Sequence, residues 1–153
     1  MSVNAVTHLN FHGEAREALT FYHAVFGGDL AIATYADFGA PREMPGAGNV
    51  VWGQVAAASG FRIMAYDVPA AAPTAPAAPT TRREHGMTLT QDRFFISLRG
   101  ENADEIAALW AGLAEGATII EPIAPAQWAR LFGILTDRFG VTWILDVAVA
   151  QTN

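Results

Sequence analysis

The side chains able to do chemistry are few in kind: histidines at 8, 12, 23 and 85, nine arginines and fifteen carboxylates, with neither cysteine nor lysine. Without cysteine there are no thiol nucleophiles, disulfides, iron–sulfur clusters or thiolate zinc sites. Without lysine there is no Schiff-base chemistry and no Walker-type phosphate loop. His8 and His12 are four apart, but on a strand and the turn after it they are not the one-face pair of a helical HExxH. His8 is a candidate hydrogen-bonding group or general base, or a structural partner. His23 shares the polar face of a helix with Arg16 and Thr20 and is expected in solvent, and His85 falls in a linker and is expected to be inert. Glu14, Glu17, Asp104 and Glu105 stand at helix starts, where the macrodipole favours negative charge. They form no acid/base dyad of the glycosidase kind.

These groups sit on a chain of 153 residues, 52% hydrophobic and 16% charged, the balance of one globular domain. A net charge of −6 argues against nucleic acid as a partner, because phosphate neutralisation needs a basic surface. The longest uncharged stretch, 44–61, is broken by Pro45, Gly46, Gly48 and Gly60 and cannot span a membrane. Residues 1–10 lack a basic segment followed by an apolar run. The expectation is a cytoplasmic protein with no membrane partner.

Val68 to Thr81 reads VPAAAPTAPAAPTT, too rich in proline for a helix or central strand. The segment 69–90 is therefore expected as a linker within a single domain, 1–153, made of two modules, 4–68 and 91–149. Residues 14–26 carry apolar side chains at 15, 18, 19, 22, 25 and 26, the spacing of an amphipathic helix, closed by Gly27 and Gly28. Residues 102–113 repeat this with Ile106, Leu109, Trp110 and Leu113, and Asn102 with Glu105 stands at N-cap and N3 spacing. A strand-like run precedes each helix (6–13 and 94–100). A short strand and a hairpin follow each one, the hairpin arms being 50–57 with 61–66 and 130–136 with 141–147. Each half is strand, helix, strand, strand, strand.

With these residues in view, LNFHGEAREALTFYHAVFGGD at 9–29 and QWARLFGILTDRFGVTWILD at 127–146 resemble the vicinal oxygen chelate superfamily. That superfamily includes glyoxalase I, bleomycin-resistance proteins and extradiol dioxygenases, and the similarity is greatest to its PhnB-like branch. The resemblance covers nearly the whole chain apart from the linker. It implies an α+β fold of two βαβββ modules forming a curved eight-stranded sheet, commonly as a homodimer. One face lies under the helices and the other forms a cup.

Strand alternation then sorts the residues. Leu9 and Phe11 go under the helix and leave Val6, His8 and Asn10 toward the cup. Val51, Gly53 and Val55 leave Val50, Trp52 and Gln54, and Phe61, Ile63 and Ala65 leave Arg62, Met64 and Tyr66. In the second half Arg93, Phe95, Ser97 and Arg99 face the cup when Phe94, Ile96 and Leu98 are buried. Arg130, Phe132, Ile134 and Thr136 do so opposite Leu131, Gly133 and Leu135, and Thr142, Ile144 and Asp146 opposite Val141, Trp143 and Leu145. The ligand-binding candidates are His8, Asn10, Trp52, Gln54, Met64, Arg93, Phe95, Arg130, Phe132 and Ile144. Aromatic surfaces beside arginines suit a small, flat or partly anionic molecule.

Metal-dependent members of the family draw His, Gln or Glu from four places that the resemblance carries onto Val6, Met64, Arg93 and Ile144. None of these is a ligand for a divalent ion, so a metal-free cup without cofactor is expected. Two alternatives stand beside it. One is a divalent-metal lyase, isomerase or dioxygenase using His8 with Gln54; the other is an interaction protein without an open pocket.

Overall fold

The computed structural model describes residues 2–69 and 72–149. Ala70 and Ala71, expected in the linker, lie outside the described residues. The chain divides into two compact units, Met1–Ala75 and Pro76–Asn153.

In the first unit β1 (Thr7–Phe11) leads through α1 (Ala15–Phe26) to β2 (Asp29–Thr34). A 3-10 turn at Ala36–Phe38 and a long loop precede β3 (Val50–Ala56) and β4 (Arg62–Asp67). The sheet order is β1-β4-β3-β2, with β1 parallel to β4 and the remaining pairs antiparallel. Ala15, Ala18, Leu19 and Tyr22 of the helix are fully buried against Val50, Val55, Ile63 and Ala65 of the sheet. At the far end of the helix Phe26 stacks on Phe61 with ring centroids 4.1 Å apart. Glycine sets how closely helix and strands approach. A Cβ on Gly53 would collide with Leu19 Cδ1, and one on Gly28, whose φ is +83°, would run into the Ala56 carbonyl.

The two helices start differently. Asn102 caps its helix as expected, its Oδ1 accepting from Asp104 N at 2.8 Å and Glu105 N at 3.1 Å. The start of α1 is held instead by Asp67, the last residue of β4. Its buried carboxylate accepts from Gly13 N (2.8 Å), Ala15 N (3.0 Å) and Val50 N (2.9 Å). Glu14, at the cap position, makes no side-chain cap and accepts from His12 N. His23, expected in solvent, is half-buried, and its Nε2 lies 2.9 Å from the Gly28 carbonyl just past the helix end.

The second unit repeats the order with β7 (Ile96–Gly100), α2 (Ala103–Leu113), β8 (Thr118–Ala126), β9 (Ala129–Thr136) and β10 (Thr142–Ala148). The sheet runs β7-β10-β9-β8, again with first and last strands parallel. Pro122 and Pro125 are tolerated in β8 because it is an edge strand. Ahead of it, part of the expected linker is ordered. Arg82–Glu84 (β5) and Met87–Leu89 (β6) pair antiparallel as a hairpin. His85 and Gly86 at its tip have φ of +50° and +75°, the pair of positive values that a two-residue type I′ turn requires.

The α+β arrangement of two βαβββ modules expected from the sequence is therefore the observed fold, built as two four-stranded sheets. Three local expectations change. Val50, expected opposite the helix, is fully buried on the helix side beside Gly53, because the β2–β3 register shifts between Ala33 and Thr34. Phe94, expected in the core, is 58% exposed, and β7 begins only at Ile96, so Arg93 and Phe95 precede the strand. The cause is a polar turn: Asp92 N donates to Thr90 Oγ1 and Gln91 N to Thr80 Oγ1, which diverts the chain from an extended path. Third, Ile134, Thr136 and Thr142 alternate as expected yet are buried, because their face is covered.

Candidate functional site

On the first sheet the face opposite α1 is read from the ladder, since directly paired residues project to the same side. His8 pairs with Met64, Met64 with Gln54 and Gln54 with Ala31, while Asn10 pairs with Tyr66 and Trp52 with Ala33. His8, Asn10, Trp52, Gln54 and Met64 thus share one face with Tyr66, and Trp52 is 37% exposed. His8 Nδ1 lies 3.0 Å from Asn10 Oδ1, and the His8 ring meets Tyr66 edge-on at 5.2 Å. An amide oxygen only accepts, so the tautomer with its proton on Nδ1 is the one that makes this bond, and in that tautomer Nε2 is an acceptor.

Tyr35 was not singled out by sequence. Its hydroxyl donates to the Asp67 carbonyl at 2.6 Å. Burial first, then the charges of Tyr66 and Asp67, raise its pKa above the ordinary tyrosine value. It borders a largely apolar cavity of about 220 Å³ with Met44, Pro45, Ala47, Asn49 and Val68 on the β2–β3 loop side. Nothing in strand alternation signals this cavity, because the loop that walls it has no periodicity.

On the second sheet the face opposite α2 carries two rows. Arg99, Asp146, Phe132 and Ala124 form one; Ser97, Ile144, Ile134 and Glu121 form the other. Phe132 and Ile144 therefore share a face, while Arg130 is exposed at the register shift between the Leu131 and Ala129 pairs, where strict alternation ends. Arg93 and Phe95 belong to the irregular segment ahead of β7. Arg99 is engaged: Nε and Nη2 both donate to the buried Asp146 carboxylate, at 3.1–3.2 Å, which holds the guanidinium above its ordinary range. Trp128 packs edge-on against Phe132 at 5.4 Å. Across Phe132 lies the hairpin, with Arg83 Cζ 5.6 Å from the ring centroid.

The four positions that the family resemblance assigns to a metal carry hydrocarbon (Val6, Ile144), thioether (Met64) and guanidinium (Arg93). That donor set does not fit the divalent cation of the metal-dependent members. Among the described residues no group of three His, Asp or Glu is placed to hold a metal ion.

A fold of paired βαβββ modules with a polar and aromatic face on each sheet defines a class, and sequence comparison agrees with it. Residues 6–145 match the Glyoxalase/Bleomycin resistance protein/Dioxygenase superfamily, and the chain belongs to that family. Among solved structures it is similar to protein PA1353 from Pseudomonas aeruginosa, at 31% identity and a TM-score of 0.70, covering 96% of this chain and 98% of that one. It is also similar to a PhnB protein from Bacillus cereus described as a putative 3-demethylubiquinone-9 3-methyltransferase. There the identity is 25% and the TM-score 0.66, over 95% of this chain and 100% of the other. A glyoxylase/bleomycin resistance protein/dioxygenase domain from Frankia sp. EAN1pec shares the fold at 10% identity and a TM-score of 0.62, over 99% and 96% of the two chains. No curated protein matches the chain.

Proposed function

We propose that this protein binds a small, flat, partly anionic molecule without a metal, as a cytoplasmic homodimer. The observation that carries the reading is the open face of the first sheet, where half-exposed Trp52 offers a stacking surface beside the polar group of His8, Asn10 and Tyr66. An aromatic plane with a few fixed polar groups is the usual make-up of a small-molecule site. His8 Nε2 faces a ligand hydroxyl or amide, Gln54 supplies both donor and acceptor, and Met64 fills the floor between them. On the second sheet, taken by itself, Phe132 and Ile144 offer an apolar face, with Arg130 on the same strand and Arg93 and Phe95 in the segment ahead of β7. The fold alone hosts several chemistries, so the class of ligand rests on these side chains.

The test is native mass spectrometry of protein purified from cells without chelator, with Trp52→Ala and His8→Ala alongside the wild type. A bound organic mass on the wild type that is lost from both variants is the expected result. A stoichiometric divalent metal on the wild type, or retention of the ligand by both variants, would sink the reading. Sedimentation at the 16.3 kDa mass of a single chain would remove the homodimer.

A further inference from the structure

The hairpin over the second sheet leaves its own arginine incompletely satisfied. The Arg83 side chain is only 16% exposed, and Nη1 donates to Thr88 Oγ1 at 3.0 Å. Its Nε is buried without a hydrogen-bond partner, the Glu121 carboxylate standing 3.5 Å away, an ion-pair distance rather than a bond. Glu121 is itself 39% exposed and can withdraw to water. One face of the guanidinium rests over Phe132, whose edge meets Trp128, and Trp128 is 57% exposed. An aromatic surface, Phe132 with the exposed Trp128, thus lies beside a cation with an unused N–H.

The hairpin is short, and its base is held by side-chain oxygens. β5 and β6 have only three residues each. Their base is clasped by Thr81 Oγ1 with Thr90 Oγ1 (2.9 Å) and by Asp92, which accepts from Thr80, Thr81 and Thr142 hydroxyls at 3.3 Å. A cavity of about 200 Å³ lies beside this clasp, between Pro76, Pro79, Thr80 and Asp92 on one side and Thr136 and Gly140 on the other.

We propose that the hairpin is a displaceable cover and that Arg83 is the specificity-determining residue for an aromatic carboxylate bound beneath it. The ligand ring lies on Phe132 beside the guanidinium and in its plane, displacing the hairpin far enough to open the Nε edge. Its carboxylate takes over Nε and a terminal nitrogen of Arg83, which matches the guanidinium fork better than Glu121 does. This rests on the small-molecule reading only for the ligand class, and it concerns the second sheet.

The test is an NMR titration of the full chain with 2-naphthoate, following the Trp128 indole N–H and the exchange rates of amides 82–89. Expected are a shifted Trp128 signal and faster hairpin exchange with β9 unchanged. Glu121→Gln, which removes the competing carboxylate, tightens binding several-fold. Arg83→Gln weakens it about tenfold or more, the usual worth of charge-assisted hydrogen bonds. Uncharged 2-naphthamide at the same concentration leaves Trp128 unmoved. No binding at millimolar naphthoate, equal binding of the amide, or unaltered affinity in Glu121→Gln would each overturn the proposal. Glu121→Gln changes a partly exposed side chain, so it still decides the matter even if Arg83→Gln disturbs the hairpin. A shift of the Trp52 indole alone would refute this inference and leave the first-sheet reading standing.

Discussion

Replacing Asp67 with alanine removes one carboxylate that serves three backbone donors in two different loops. Ala15 N and Val50 N are buried and Gly13 N is partly so. A buried donor left without an acceptor costs about 1–3 kcal/mol. Two such donors and part of a third give about 3–6 kcal/mol, against a total stability of ~5–15 kcal/mol for a small protein. At this chain length, with about 2–4 °C lost per kcal/mol, Tm should fall by about 6–24 °C. The comparison variant is Asn102→Ala. It removes an exposed cap of the usual kind and should cost about 1 kcal/mol. Asp67→Asn keeps the shape but turns an N–H toward a donor, and should fall between the two. Urea unfolding followed by circular dichroism measures all three. If Asp67→Ala loses no more than Asn102→Ala, the assignment of the α1 start to a distant carboxylate is wrong.

Gly28→Ala should destabilise by about 2 kcal/mol or more, since it combines a positive φ with a clash on the Ala56 carbonyl; equal unfolding midpoints would contradict that packing. Tyr35 is held neutral, so its contribution is fully present below the ordinary tyrosine pKa and is lost as pH rises through the raised folded value. In an alkaline absorbance titration, the difference between wild type and Tyr35→Phe should therefore be a single step above pH 10.0, the unperturbed value. A step at or below that value would show the hydroxyl to be solvated.

How much was legible in the sequence follows from where each signal resides. The ladder faces of β1 and β4 could be read because Leu9, Phe11, Ile63 and Ala65 alternate with His8, Asn10, Arg62 and Tyr66, Met64 being the one apolar exception, and a period of two needs no knowledge of partners. Val50 could not, because the register shift that turns it inward is a property of the pairing between two strands. The hairpin at 82–89 was hidden by the Pro/Ala run before it; the His85-Gly86 turn is a real but weak cue, since histidine enters the left-handed region more readily than most side chains but still seldom. Asp67 offered no local sign of its role, since its partners lie 52, 54 and 17 positions away. The Arg83–Phe132 contact was equally invisible, because it joins a segment without periodicity to a strand far along the chain.

The distant carboxylate at the head of α1 also bears on how the protein is made. A helix of 12 residues is too short to persist alone in water, and α1 receives its buried cap only from Asp67. The same residue ends β4, the strand that β1 pairs with among the described residues. At the usual ~5–20 residues per second of translation, the first module waits about 3–12 s between the synthesis of β1 and that of its partner. During that interval Leu9, Phe11 and the apolar side of α1 are exposed together on the growing chain. The first unit is thus finished from its carboxyl end, and a ribosome pausing before Asp67 would hold an incomplete, adhesive half-module in the cell.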